Sequence, residues 1–186
     1  RHPARAVERR LTLHIDTATT ELADALAEVA ARTFPLACPP SSTSEDIDAF
    51  IAENLSADRF ARYLTDPDRT VLAARRDGRI LGYAMTVRGV PDDPDVQRAV
   101  PLRPAIELSK MYVLPDCHGA GVSAALMDAV VRHASAQHAA CVWLGVNQQN
   151  RRAQRFYGKH GFEVAGTKTF HLGAEIEHDY VMVRPA

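Results

Sequence analysis

The feature that most limits what this chain can fold into is the passage from a short apolar run, Met111-Tyr112-Val113, through Leu114-Pro115-Asp116-Cys117-His118-Gly119-Ala120-Gly121-Val122-Ser123, into a helical repeat. The run before the turn has strand character. After it, Val122, Ala125, Leu126, Ala129 and Val130 share one face of a helix predicted over 121–136. Glycines at a strand-to-helix turn let the backbone approach a ligand closely, while the first N–H groups of the helix and its dipole attract negative charge. A cradle for a diphosphate is the expected result. Gly-x-Gly also occurs in ordinary turns, so this passage does not name its ligand unaided. The third glycine of a dinucleotide fingerprint and the Gly-Lys-Ser/Thr of a P-loop are both missing, which sets those two readings aside.

Around this passage the chain alternates strand and helix signals. Leu11 to Ile15 alternates apolar and polar residues and predicts a strand; Leu22, Leu26, Val29 and Ala30 predict a helix over 21–34 that Pro35 should stop. Ser42 and Glu45 have the spacing of a capping box, opening a helix through Ile47, Phe50, Ile51 and Leu55. A shorter helix is expected over 57–64, ended by Asp66-Pro67. Asp77-Gly78 marks an antiparallel hairpin between strands over 70–75 and 79–87. Residues 89–104, rich in proline and aspartate, read as an irregular and mobile loop on the substrate side. Strands over 106–113, 141–146, 164–172 and 180–183 and a helix over 150–160 complete one α+β domain, 11–186, behind an N-terminal arm, 1–10, to which no function is assigned.

Composition narrows the function classes. The 186 residues suffice for a real core, and 46% hydrophobic against 24% charged residues is ordinary for a globular protein. Lysine and arginine number 22 against 23 acidic residues, a net charge of -1, which gives no broad electrostatic reason to bind nucleic acid or an anionic membrane. No apolar run approaches the roughly 20 residues of a membrane helix, and the basic start, Arg1 to Arg5, has no secretory apolar region. Cys38, Cys117 and Cys141 fit neither a disulfide framework nor a metal site, so a reduced, cytoplasmic setting without a metal is expected.

A second block gives the glycine turn its meaning. Asn150-Arg151-Arg152-Ala153-Gln154-Arg155-Phe156-Tyr157 continues through Gly158-Lys159-His160-Gly161-Phe162. Together the two blocks resemble the Gcn5-related N-acetyltransferase (GNAT) superfamily, whose pattern Val-x-Pro, Gln/Arg-x-x-Gly-x-Gly/Ala is followed by Asn-x-x-Ala-x-x-Phe-Tyr-x-x-x-Gly-Phe. Val113 and Pro115 match the first part, and Asn150, Ala153, Phe156, Tyr157, Gly161 and Phe162 the second. His118 stands where Gln or Arg is usual, and Ser123 where Gly or Ala is usual. The resemblance is strong from Glu107 to the end. Leu81-Gly82-Tyr83, Trp143 to Val146, Phe162 to Thr167 and Phe170 to Gly173 further resemble the PaiA-type spermidine/spermine acetyltransferases.

The resemblance implies an α+β fold with a mixed, mostly antiparallel central sheet, two splayed parallel strands and flanking helices. It implies acetyl-CoA (coenzyme A) as cofactor, bound by Met111, Tyr112, Val113, His118, Gly119, Ala120, Gly121, Val122, Ser123, Asn150 and Tyr157. Met111 and Val113 would act through their backbone, with the Val113 N–H facing the thioester carbonyl. The acceptor would be a primary amine on a small molecule, polyamines first, attacking the thioester directly. A protein lysine acetyltransferase and a non-catalytic acetyl-CoA-sensing module are the alternatives. Family members often pair through sheet edges, so a homodimer stays open.

The reaction needs a base, oxyanion donors and an acid for the leaving thiolate. A phenol with its ordinary pKa of about 10 stays protonated at neutral pH, which suits Tyr157 to the acid role; spacing alone would make it a core tyrosine beside Phe156. Asn150 is suited to cap its helix, to hydrogen-bond the pantetheine arm, or both. Arg151, Arg152 and Arg155 read as a solvated face, with contact to the adenosine 3′-phosphate as the alternative. Glu107 is the candidate base, with alternation setting 107, 109, 111 and 113 on one side unless a bulge intervenes; a strand-end ion pair is its plainer reading. His171 is the other candidate. Glu175, Glu177 and Asp179, or Glu45, Asp46 and Asp48, could supply carboxylates for a cationic acceptor.

Overall fold

Asp77 and Gly78 take positive φ angles of 52° and 74°, the two left-handed conformations that a tight hairpin turn requires, and fold β2 (Arg69–Arg76) back on β3 (Arg79–Arg88). The computed structural model of the protein describes residues 12–119 and 121–186; the arm read at 1–10 and the loop residue Ala120 lie outside the described residues. The hairpin belongs to a seven-stranded sheet in the order β1-β2-β3-β4-β5-β7-β6, with β1 (His14–Thr17), β4 (Ala105–Val113), β5 (Cys141–Asn147), β6 (Glu163–Leu172) and β7 (Glu175–Pro185). Neighbours are antiparallel except β4 and β5, which run parallel.

Six helices flank the sheet among the described residues: α1 (Ala23–Ala37), α2 (Ser44–Asn54), α3 (Ala57–Thr65), α4 (Pro94–Ala99), α5 (Val122–Ala136) and α6 (Arg151–Lys159). Helices α1 and α3 pack together over β2 to β4, and α5 crosses the other face. Leu26, Phe60, Tyr83, Leu126 and Leu144 are fully buried between these layers. Burying one such side chain contributes roughly 1.5–3 kcal/mol. This is the α+β, mostly antiparallel architecture the motifs implied. Among the described residues no helix is long and apolar enough to cross a membrane.

Three local expectations are corrected. Helix α1 does not stop before Pro35 but runs on to Ala37 with the proline inside it. Only one hydrogen bond is lost so close to the helix end, and buried Thr33 and Phe34 hold the last turn on the core. Helix α2 is capped by Thr43, whose Oγ1 accepts from the Asp46 N–H at 3.1 Å, and not by Ser42. Residues 89–104 are irregular only in part, because Pro94–Ala99 form a helix. Asp93 caps α4 by accepting from the Asp95 N–H at 2.9 Å, Pro94 sits at the first helical position, and Val96, Ala99 and Val100 bury themselves against Trp143 and Val181. None of this segment reaches the cavities described below.

Strand β4 carries the feature that makes the site. Its register against β3 slips between Met85 and Thr86, which face Lys110 and Leu108, so Ser109 is an extra residue forming a bulge. A bulge bends its strand and sharpens the local twist. Parallel pairing with β5 accordingly covers only Ala105, Ile106 and Glu107, opposite Cys141, Val142 and Trp143. Beyond Glu107 the two strands part.

Candidate active site

Where β4 and β5 separate, the backbone of β4 has an unpaired edge. The Leu114 N–H bonds the Leu81 carbonyl at 2.9 Å, so Leu114 and, two residues earlier, Tyr112 turn their backbone groups to β3. Met111 and Val113 therefore turn theirs into the gap. Two cavities open there, of about 330 and 520 Å³, and share a wall of Ala37, Met111, Tyr112, Asn150, Ala153 and Tyr157.

The larger cavity lies at the glycine turn and is lined by Val113, His118, Gly119, Gly121 and Ser123. Gly119 and Gly121 adopt φ of 83° and 79°, conformations that side-chain-bearing residues rarely take, with nothing within 4 Å of where a Cβ would stand. Helix α5 starts at Gly121 with no side-chain cap and no acid in its first turn. The N–H groups of Val122, Ser123 and Ala124 have no partner among the described residues, which leaves a helix N-terminus ready for an anion. Val122 itself points into the core and offers only its backbone.

His118 is pinned from both sides. Its Nε2–H donates to the Val113 carbonyl at 3.0 Å, and its Nδ1 accepts from Arg152 Nη2 at 3.1 Å. A carbonyl can only accept and a guanidinium can only donate, which fixes this tautomer. The contact carries Arg152 of α6, still exposed, to the rim of the larger cavity, away from Arg151 and Arg155, which do not line it. A phosphorylated carrier fits these donors: free amides at the turn, a guanidinium at the rim, and no facing carboxylate.

Asn150 caps α6, its Oδ1 accepting from the Ala153 N–H at 3.1 Å, and keeps Nδ2 for the shared wall. The Tyr157 ring packs against Phe156 and Phe162, with centroids 5.6 and 5.8 Å apart. Burial pushes the phenol pKa up to about 12, and its hydroxyl makes no hydrogen bond among the described residues. It faces both cavities.

The smaller cavity is lined by Glu107, Lys110, Lys168, Glu177 and Asp179, beside Phe34, Phe50 and Phe170. Because of the Ser109 bulge, Glu107 shares its side of β4 with Lys110 and Tyr112, and not with Met111 and Val113 as plain alternation requires. Burial raises the Glu107 pKa, against the pull of Lys168, Lys110 and Arg69. Burial lowers Lys110 to about 8, Glu107 opposing and Arg69 and Arg59 assisting. Burial also raises Asp179, with Lys168 opposing. His171 is exposed on β6 and outside the cavity, as are Glu45, Asp48 and Glu175, while half-buried Asp46 also lies outside it. Lys110 and Lys168 are not among the sequence-predicted site residues; a lysine three residues after Glu107 on the same strand is the available signal for the first.

A parallel seam that parts above a glycine turn and an uncapped helix is the arrangement of an acyl-transferring enzyme fed by a phosphorylated carrier. The family described as acetyltransferase (GNAT) domain matches residues 38–176. An uncharacterized N-acetyltransferase of Mycobacterium tuberculosis is 59% identical over 162 residues, covering 87% of this chain and 96% of that protein. Another from Lactobacillus delbrueckii is 21% identical over 141 residues, 76% of this chain and 79% of its own. The fold is similar to that of the PaiA N-acetyltransferase of Thermoplasma acidophilum, solved in complex with coenzyme A, with a TM-score of 0.74 and 19% identity over 95% of this chain and all of that one. The chain belongs to the GNAT family of N-acetyltransferases, enzymes that use acetyl-CoA.

Proposed function

We propose that this acetyltransferase moves the acetyl group to a primary amine of a small molecule by direct attack, with Glu107 as base and Tyr157 as acid. One observation carries the reading: the Tyr157 hydroxyl, without a hydrogen-bond partner among the described residues, belongs to the wall common to both cavities, where a carrier on one side meets an acceptor on the other. Bound acetyl-CoA supplies a thioester whose acyl carbon is open to a nucleophile. The Val122, Ser123 and Ala124 amides and Arg152 would hold its phosphates, and the Met111 backbone and Val113 N–H, with Asn150 Nδ2, its pantetheine arm.

Glu107 stands at the apex of the seam, the last residue paired across it. A carboxyl raised by burial is a better match for a base near neutral pH than an ordinary one. Glu107 takes a proton from the incoming ammonium, directly or through one water; Tyr157 gives its proton to the departing sulfur and is reprotonated, through water, by the proton that the new amide nitrogen sheds. The Val113 N–H, on the open edge, is the donor for the acyl oxygen. Glu107, Glu177 and Asp179 give a cationic amine its counter-charge, polyamines included, whereas Lys110 and Lys168 in the same walls oppose a long polycation.

Calorimetry with coenzyme A and thiol release from acetyl-CoA across a panel of amines test the reading. Binding heat and amine-dependent thiol release are expected. Coenzyme A binding with no turnover on any primary amine would instead favour an acetyl-CoA sensor.

A further inference from the structure

Charge on the walls of the smaller cavity is divided by position. On one side Lys168 and Asp179, directly opposite in β6 and β7, close an ion pair at 3.4 Å, and Glu177 accepts from Asn147 Nδ2 at 3.3 Å. That side is internally paired. On the other side Lys110 lines the cavity and its Nζ sits 5.9 Å from the centre of the Tyr63 ring, which Arg59 and Arg69, behind the lining residues, also approach, at 5.9 and 5.0 Å. Of these three cations only Arg69 has a carboxylate partner among the described residues, Asp66 at 3.1 Å, while Arg59 Nε is buried without a hydrogen bond.

Lys110 and Glu107 line the same cavity, yet neither forms a hydrogen bond or a close ion pair with any described residue. Burying a charge is costly unless a partner compensates, and one aromatic face returns only part of that cost. The bulge sets Glu107 and Lys110 opposite Val87 and Met85, two residues apart on β3, so their Cα atoms lie about 7 Å apart, a distance that a small molecule spans. In the same cavity Phe34 stacks on Phe50 with centroids 4.6 Å apart, and Phe50 meets Phe170 at 5.6 Å, an apolar wall for a short carbon chain.

We propose that the acceptor is a small amino-acid-like molecule whose carboxylate is held by Lys110, backed by Arg59 and Arg69, while its amine lies at Glu107 beside the seam. The inference rests on the acetyltransferase reading of the same site. A polyamine would place ammonium groups against Lys110 and the two arginines, where like charges repel.

The test is thiol release from acetyl-CoA with amines that differ only by a carboxylate: 4-aminobutyrate against propylamine and lysine against cadaverine, with spermidine alongside. In the parent enzyme kcat/KM for each carboxylated amine should exceed that of its partner by at least about tenfold. Lys110→Met should collapse that ratio by about tenfold, and Lys110→Arg should keep most of it. Saturation-transfer NMR should show 4-aminobutyrate binding to the parent protein with coenzyme A and not to Lys110→Met, while coenzyme A heat certifies that the variant is folded. Equal or better use of propylamine, cadaverine or spermidine, or an unchanged ratio in Lys110→Met, overturns the inference. Coenzyme A binding with carboxylate-blind acetylation removes this inference alone, whereas no coenzyme A binding by the parent removes it together with the acetyltransferase reading.

Discussion

A phenol donates a proton usefully only where its surroundings keep it protonated and leave its oxygen free. Tyr157 meets both conditions, with its pKa held at about 12 by burial and its hydroxyl unpartnered among the described residues. Tyr157→Phe keeps the packing on Phe156 and Phe162 and removes only the O–H, so kcat should fall about 100-fold or more. Coenzyme A affinity by calorimetry should stay within about twofold, since no binding contact is lost. A kcat equal to the parent's excludes the acid role. Lys110 poses the opposite problem, a charge that the fold makes expensive. Its pKa falls from 10.5 to about 8 on folding, so between those values the unfolded chain holds more protons than the native one and stability rises with pH. Below about pH 8 the full cost is present; near pH 10.5 it is gone. Lys110→Met should therefore stabilise the protein at pH 7 by about 1–2 kcal/mol, or about 3–6 °C in Tm, allowing for partial exposure. That gain should shrink as melts are repeated above pH 8, and a pH-independent difference would refute the assignment. Carrying an uncompensated cation in a cleft makes sense where a ligand supplies the missing charge.

At the scale of elements the β3–β4 contact is the tightest constraint on the site. A Cβ on Gly82 would stand 2.7 Å from the Tyr112 carbonyl oxygen and 3.0 Å from Val113 Cγ2, so any side chain there must push β4 away from β3. Gly82→Ala should destabilise the protein by about 2 kcal/mol in urea unfolding, and should weaken coenzyme A binding because Val113 moves with the strand. Unaltered stability would mean that the strands separate without cost. Most elements were legible because their signals are local: Asp77-Gly78 for the hairpin, Asn150 as a cap, and helical spacing in α1 and α5. What escaped has non-local causes or a misread local sign. The Ser109 bulge has no signature in one strand's sequence, since a register exists only against a partner, and it alone decides that Glu107 sides with Lys110. Lys168 meets Asp179 only after a second slip between Val164 and Gly166. His118 and Arg152 lie 34 residues apart and meet through tertiary packing. Helix α4 was readable, because Asp93-Pro94 is a cap followed by a first-turn proline; weighing those residues as loop formers hid it.

At the scale of the whole molecule the sheet is two halves, β1 to β4 and β5 to β7, joined along the seam by three residue pairs and spanned by α5. Opening a sheet in this way leaves strand amides without partners, a condition that proteins otherwise avoid, and it persists because a ligand can fill the gap. A carrier whose amide arm lies in the seam would act as the missing strand. Two consequences follow from mass action and geometry together. At about 100 times its Kd, coenzyme A should add about 2.7 kcal/mol of stability, or about 5–10 °C in Tm. Amide exchange should report where that energy goes. The Met111 and Val113 N–H groups, which face the gap, and those of Val122, Ser123 and Ala124 at the α5 N-terminus should exchange rapidly in the free protein and slow strongly on binding. Tyr112 and Leu114 point to β3 and should be protected in both states. Hydrogen-exchange NMR separates these neighbours residue by residue. Protection of Met111 and Val113 equal to that of Tyr112 before any ligand is added would mean that the seam is closed in solution, and the cavity on which the chemistry depends would then have to be made by the ligand.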